Sequence, residues 1–248
     1  MSPETLAASA VVIACTYLIF GMTGFGSTAL AVPLLVHLVP LRYLVPLLAL
    51  LDLLAALLVS VRARKGVRWD EMRRIVPAMV FGSAGGALLL ARAPEQSLLI
   101  VLGVLLVGYA AFALLRRGGP PKFSSAWGAP TGLSAGLLAS LYGNGGLVTA
   151  VYISGRIHDK DGLRATAAAI VVVNASVRTV FFAATGLLTQ EALLLSAALL
   201  VPSLLLGLAL GGRLHAAVPA RLVLKTVYLV IGAAGVLLLA RQLARLWT

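Results

Sequence analysis

Residues 5–41 contain no Asp, Glu, Lys or Arg. A straight helix of that length would run about 55 Å at ~1.5 Å per residue. The hydrocarbon core of a bilayer is only about 30 Å thick. The run therefore has to turn or break, and the break is visible at Gly21-Met22-Thr23-Gly24-Phe25-Gly26-Ser27. A second uncharged stretch, between Lys122 and Arg156, is interrupted in the same manner at Tyr142-Gly143-Asn144-Gly145-Gly146. Long uncharged runs suit a hydrocarbon solvent rather than water, so the chain reads as a polytopic membrane protein. Composition agrees: 60% of residues are hydrophobic and 11% charged, with mean hydropathy +1.02. Soluble domains carry roughly a quarter charged residues.

The net charge of +12 does not point to nucleic acid, and none is expected as a partner. The cations sit in short clusters between apolar runs, such as Arg62, Arg64, Lys65 and Arg68, or Arg116, Arg117 and Lys122. Membrane loops have that pattern, and the expected surroundings are a lipid bilayer. The lone Cys15 cannot form an internal disulfide or a paired-thiol relay. Met1 to Glu4 lacks a basic leader, so residues 5–20 read as a first membrane segment rather than a cleaved signal.

The remaining segments fall between the loops. The first half gives helices at 5–20, 28–39, 43–61, 75–91 and 96–115. The second gives 147–155, 164–186, 190–212 and 220–240 after an opening segment that ends at the break. The two halves repeat. Pro77, Gly82 and Gly86 recur as Pro202, Gly207 and Gly211 at an offset of 125. Gly24 and Gly26 recur as Gly143 and Gly145 at 119, and Arg42 and Asp52 fall on Arg164 and Asn174 at 122. Repeats of this kind mark many transporters. With five segments per half, 15 Lys/Arg gather on one side and four on the other. Counting each broken pair as one span divides them 11 to 8. The positive-inside rule favours the first arrangement. The expected fold is an all-α polytopic membrane protein of two inverted repeats, 1–117 and 118–248. Short broken helices lie near the midplane, and both termini are outside.

Polar groups at membrane depth are expensive and mark function by default. Asp52 lies ten residues into its helix, roughly 15 Å deep, and Asn174 is its counterpart in the repeat. Arg178 is one turn beyond Asn174 on the same face. Asp52 reads as a coupling carboxylate, because burial disfavours its charged form. Arg178 reads as an anion-attracting guanidinium; an Asp–Arg pair that only fixes packing is the alternative. The glycine breaks expose backbone N–H groups at two helix N-termini, which favour anions. The candidate substrate-binding set is Gly24, Phe25, Gly26, Ser27, Thr28, Tyr142, Gly143, Asn144, Gly145, Gly146, Thr149, Asn174 and Arg178. The glycines at 82, 85, 86, 207, 211 and 212 read as packing faces. Tyr152 is an interfacial aromatic or a ligand contact. His37, His158 and His215 are dispersed, so no metal site is expected. No cofactor fingerprint or nucleophile–base constellation is present, and neither a cofactor nor an enzymatic activity is expected.

Gly24-Phe25-Gly26 followed by Pro33, the Pro77…Gly82…Gly86 helix and Tyr142-Gly143-Asn144-Gly145-Gly146 together resemble the sulfite exporter TauE/SafE family over essentially the whole chain. The resemblance implies a bacterial inner-membrane protein of about eight spans that transports sulfite, sulfonates or related organic anions. Ser27-Thr28 replaces the richer glycine run usual in that family. The expected activity is secondary transport of a small sulfur-containing anion by alternating access, with Asp52 as proton carrier. The inside-negative potential, about 2.3 kcal/mol per charge per 100 mV, favours anion export. An anion channel shares the site but needs neither Asp52 nor alternating closure. A membrane subunit or assembly partner, using its Gly-rich faces against other helices, is the third reading, and those faces are also compatible with a homo-oligomer.

Overall fold

The computed structural model describes residues 2–23, 27–60, 66–115, 123–214 and 220–244. Gly24, Phe25, Gly26, the cations at 62, 64, 65, 116, 117, 122 and 245, His215, Pro219 and Trp247 lie outside the described residues. All regular structure among the described residues is helical. The order is α1 (Pro3–Thr23), α2 (Ser27–Leu35), α3 (Leu41–Ser60), α4 (Trp69–Arg92) and α5 (Glu95–Leu115). After a single 3-10 turn at Ser125–Trp127 come α6 (Gly128–Tyr142), α7 (Gly145–Ser154), α8 (Lys160–Ala184), α9 (Leu193–Leu214) and α10 (Ala220–Ala244).

Seven of these helices contain a stretch long and apolar enough to cross a membrane: α1, α3, α4, α5, α8, α9 and α10. The chain is a multi-pass membrane protein. The expected eighth span, α6, has 15 residues, about 22 Å at ~1.5 Å per residue. Gly143 cuts it short by taking φ +73°, and its N–H closes the helix on the Ala139 carbonyl at 2.8 Å. A left-handed residue after the last turn is a common helix stop, and glycine takes it without strain. The segment expected at 28–39 is also shorter, because α2 ends at Leu35 and residues 36–39 form a turn. Helix α4 starts at Trp69, not 75. Asp70 and Glu71 lie in its first turn, where carboxylates complement the helix dipole. Helix α8 likewise starts at Lys160, capped by Asp159, whose side chain accepts from the Gly162 N–H.

Two helix pairs pack backbone to backbone. In α4 against α6, Cβ atoms at Gly82 and Gly86 would overlap the carbonyls of Leu133 and Leu137. From the other side, Gly132 and Gly136 face the carbonyls of Ile75 and Met79 with equal lack of room. In α1 against α9, Gly207 and Gly211 meet the carbonyls of Ala14 and Leu18. Small residues that let helix backbones touch are the usual membrane solution, since apolar bulk gains nothing over lipid. The packing reading thus holds for Gly82, Gly86, Gly207 and Gly211. Gly85 meets only the tip of Leu137 at 3.8 Å, and nothing lies within 4 Å of Gly212. Helix α5 pairs with α10, and α3 with α8.

Polar ties gather the turns into two groups at opposite ends of the helices. At one end, Arg42 donates to the carbonyls of Leu90 (3.0 Å) and Ala93 (2.7 Å), and Gln190 Nε2 donates to the Arg42 carbonyl at 2.9 Å. This is the Leu41 end. At the other, the Lys160 end, Arg68 pairs with Asp159 at 2.9 Å. There Glu71 Oε1 accepts from Arg74 Nη1 (2.8 Å) and Arg156 Nη2 (2.9 Å), and Glu71 Oε2 accepts from the Tyr152 hydroxyl at 2.8 Å. Tyr152 therefore serves an internal carboxylate.

Candidate functional site

Asp52 lies in the middle of α3 and is buried. Its carboxylate collects four donors from three other helices. Oδ1 accepts from the hydroxyls of Tyr17 on α1 (2.7 Å) and Ser27 on α2 (2.8 Å). Oδ2 accepts from the Thr28 hydroxyl of α2 and from Arg178 Nη2 of α8. Arg178 is 3% exposed, so the ion pair is shut off from bulk solvent. Its Nη1 donates to the Ala139 carbonyl of α6 at 3.2 Å, and its Nε is buried with no partner among the described residues. The pairing of Asp52 with Arg178 brings together the two ionised groups that the sequence placed at membrane depth.

Local sequence explains each position. Ser27 and Thr28 are the first residues of α2, so both the hydroxyls and the start of the helix face the carboxylate. An N-terminal helix end carries roughly half a positive charge and favours an anion nearby. Here the protein's own carboxylate occupies the place that the sequence reading reserved for substrate. Gly143 completes the packing: a Cβ there would overlap the Thr28 side chain.

A cavity of about 40 Å³ adjoins the pair. Its walls include Phe20, Ser27, Thr28, Asp52, Gly143, Gly146, Asn174 and Arg178, with Ile170, Val171 and Ala175 along α8. At roughly 10–15 Å³ per water it holds about three waters. It runs along α8 from Arg178 back towards the Lys160 end. Towards the Leu41 end, α3 buries Leu41, Leu44, Val45, Leu48 and Leu51 in the main core, so apolar side chains of α3 lie on that side of the pair.

Of the expected site residues, Ser27, Thr28, Asp52, Gly143, Gly146, Asn174 and Arg178 meet at this cavity. Asn174 Nδ2 contacts the Met79 sulfur at 3.2 Å. The others stand elsewhere. The Tyr142 hydroxyl donates to the Leu98 carbonyl of α5 at 3.0 Å. The Thr149 hydroxyl is spent on the Gly145 and Gly146 carbonyls of its own helix. Gly145 is pressed on the Ala135 carbonyl. Asn144 Oδ1 is buried with no partner among the described residues. Sequence reasoning missed Tyr17 and Phe20. Tyr17 carried a usable signal, since a phenol inside an uncharged apolar helix needs a hydrogen-bond partner once buried.

No group of three or more His, Cys, Asp or Glu side chains that could hold a metal ion occurs among the described residues. A buried Asp–Arg pair beside a small cavity thus sits at the centre of a bundle of membrane-spanning helices. A family model, sulfite exporter TauE/SafE, matches residues 9–238. The chain belongs to this family, whose members are membrane permeases rather than enzymes. No curated protein and no solved structure matches the chain.

Proposed function

We propose that the protein is a secondary transporter that carries a small sulfur-containing anion, sulfite or a short sulfonate, across the bacterial inner membrane by alternating access. The observation that carries this reading is the buried Asp52–Arg178 pair at the head of the cavity. Substrate anion and Asp52 compete for the same donors: the Arg178 guanidinium and the Ser27 and Thr28 hydroxyls. A proton on Asp52 removes its claim on Arg178 and frees those donors for the substrate. Anion and proton binding are thereby linked at one site. The cavity volume favours an anion of few heavy atoms over an aryl sulfonate.

The helix packing supports two related halves. Gly82 and Gly207, and Gly86 and Gly211, are 125 residues apart. The carbonyls they touch, those of Leu133 and Ala14 and of Leu137 and Leu18, are 119 apart. These are the two offsets of the sequence repeat, now recurring in paired contacts. Inverted halves 1–117 and 118–248, rocking about the ion pair, account for that reciprocity. The small cavity beside the pair extends along α8 towards the Lys160 end, which supports reading this structure as the state that faces the Lys160 side. The Lys160 end is also the side with most cations, which supports a cytoplasmic Lys160 end and both termini outside.

The test is uptake of radiolabelled sulfite and of methanesulfonate into proteoliposomes with imposed pH gradients, for wild type and Asp52→Asn. Saturable flux whose pH dependence disappears in the variant is the expected result. Saturable flux with unchanged pH dependence in the variant removes Asp52 from the coupling. Non-saturating flux assigns the site to a channel. No flux of either anion in the folded protein overturns the transport reading for this substrate class.

A further inference from the structure

A second and larger cavity, of about 450 Å³, lies at the Leu41 end, away from the Asp52 pair. It is formed by the 36–40 turn, the start of α5 and the end of α10, and the Asp52 site contributes nothing to it. Its volume falls within the ~300–1,000 Å³ typical of small-molecule sites. Its walls carry both signs of charge: Arg241 from α10 and Glu95 from α5. Neither forms an ion pair among the described residues, although both line the same space.

The polar groups divide into donors and acceptors. Arg241 Nη1 lies 3.1 Å from His37 Nδ1. A guanidinium has no acceptor, so it donates and Nδ1 accepts. The proton of the neutral imidazole is then on Nε2, a donor that is buried with no partner among the described residues. Burial and the neighbouring Arg241 both hold His37 below its ordinary value, in keeping with the neutral ring. On the acceptor side, Glu95 Oε1 caps the Leu41 N–H of α3 at 2.7 Å. Gln242 is 3% exposed, and its Oε1 is likewise buried without a partner among the described residues. Buried polar groups in native proteins are almost always satisfied, and an exception calls for a ligand, a water or a function.

We propose that this cavity binds a small zwitterion that bears an ammonium and an oxyanion group. The oxyanion meets Arg241 and the His37 Nε2–H. The ammonium meets the Glu95 carboxylate and the unpartnered Gln242 Oε1, both acceptors. A plain anion would leave Glu95 uncompensated beside it, and a plain amine would do the same to Arg241. The apolar wall of Val36, Leu99 and Leu238 accommodates a short carbon chain between the charged ends.

The test is equilibrium binding of radiolabelled 3-aminopropanoate to the full-length protein in lipid nanodiscs, with propanoate and propylamine as competitors. The expected result is saturable binding, with each competitor at least tenfold weaker. Glu95→Gln keeps an oxygen to cap Leu41, and should bring 3-aminopropanoate down to the level of propanoate. Arg241→Gln should bring it down to the level of propylamine. Gln242→Leu, which leaves every formal charge in place, should weaken 3-aminopropanoate while sparing propanoate. Equal affinity for 3-aminopropanoate and propanoate in the wild type overturns the proposal in favour of a simple anion site. Absence of saturable binding by all three probes overturns it outright. Binding lost in Asp52→Asn but kept in Glu95→Gln places the ligand at the other cavity and also overturns it.

Discussion

The Asp52–Arg178 pair makes a prediction whose sign depends on counting donors. Remove the charge of Arg178 with Arg178→Gln, and Asp52 still accepts from Tyr17, Ser27 and Thr28. Remove the charge of Asp52 with Asp52→Asn, and Arg178 keeps its charge with only neutral acceptors, the Ala139 carbonyl among them, and Nε still unpartnered among the described residues. Breaking a buried pair by losing one partner costs about 3–5 kcal/mol. Hydrogen bonds to a charged group are worth about 1.5–3 kcal/mol each, so Arg178→Gln belongs at the lower end of that range and Asp52→Asn at the upper. The double variant has no orphaned charge and so escapes most of that penalty. Its stability should exceed that of Asp52→Asn by about 2–4 kcal/mol. For a chain of this size, 1 kcal/mol moves a melting midpoint by roughly 2–4 °C. Asp52→Asn should therefore melt about 10–20 °C below wild type, with about half or more of that recovered in the double variant. The assay is thermal unfolding in one detergent or nanodisc preparation for all four proteins. A double variant no more stable than Asp52→Asn, or a larger loss for Arg178→Gln than for Asp52→Asn, would refute the reasoning.

Further outcomes are expected at sites around the pair. Gly143→Ala places a Cβ at a left-handed φ and into Thr28; the backbone penalty alone is about 1–2 kcal/mol, and anion flux should fall with the melting midpoint. Gly82→Val drives side-chain atoms into the Leu133 backbone and should cost at least the ~1–3 kcal/mol of ordinary overpacking, read as a lowered midpoint. Tyr142→Phe loses a hydrogen bond to the Leu98 carbonyl and should cost about 1 kcal/mol while leaving the KM for anion flux unchanged; a raised KM would return Tyr142 to the substrate site. The hydrogen bond from Arg68, aided by the Gly162 N–H, holds the Asp159 carboxylate below its ordinary value of 3.8. A lowered carboxylate stabilises the fold above its unfolded value and loses that contribution as pH falls through the folded one. Stability between pH 5 and 3 should therefore drop less steeply in Asp159→Asn than in wild type, as measured by melting at each pH.

Much of this arrangement was legible in the chain. Charge-free runs and their loops located most of the helices because solvation in hydrocarbon is a one-dimensional property of the sequence. The glycine break at Tyr142–Gly146 was legible because a backbone stop needs a particular residue. Asp52, Asn174 and Arg178 stood out because polarity at that depth is costly. What the chain hid was which partner each polar group finds. Thr149 and Tyr142 look like ligand donors in a list of residues, yet Thr149 bonds back within its own helix and Tyr142 reaches a carbonyl of α5. Tyr17 looks like one aromatic among many, yet it caps the central carboxylate. Helix-boundary errors had a similar source. Asp70 to Arg74 look like loop because they are charged, but at the Lys160 end Glu71 is neutralised by Arg74 and Arg156, so α4 continues through them.

The backbone contact between α1 and α9 has a consequence for how the chain is made. Ala14 and Leu18 wait for Gly207 and Gly211, about 190 residues later in synthesis. At roughly 5–20 residues per second, α1 spends about 10–40 s in the membrane before its mate is available. By contrast α4 meets α6 after only some 50 residues. Helix α1 is thus among the last to be locked. A chain interrupted between α6 and α9 would hold a finished α4–α6 pair and an open groove on α1, the surface most exposed to a membrane chaperone or a quality-control protease.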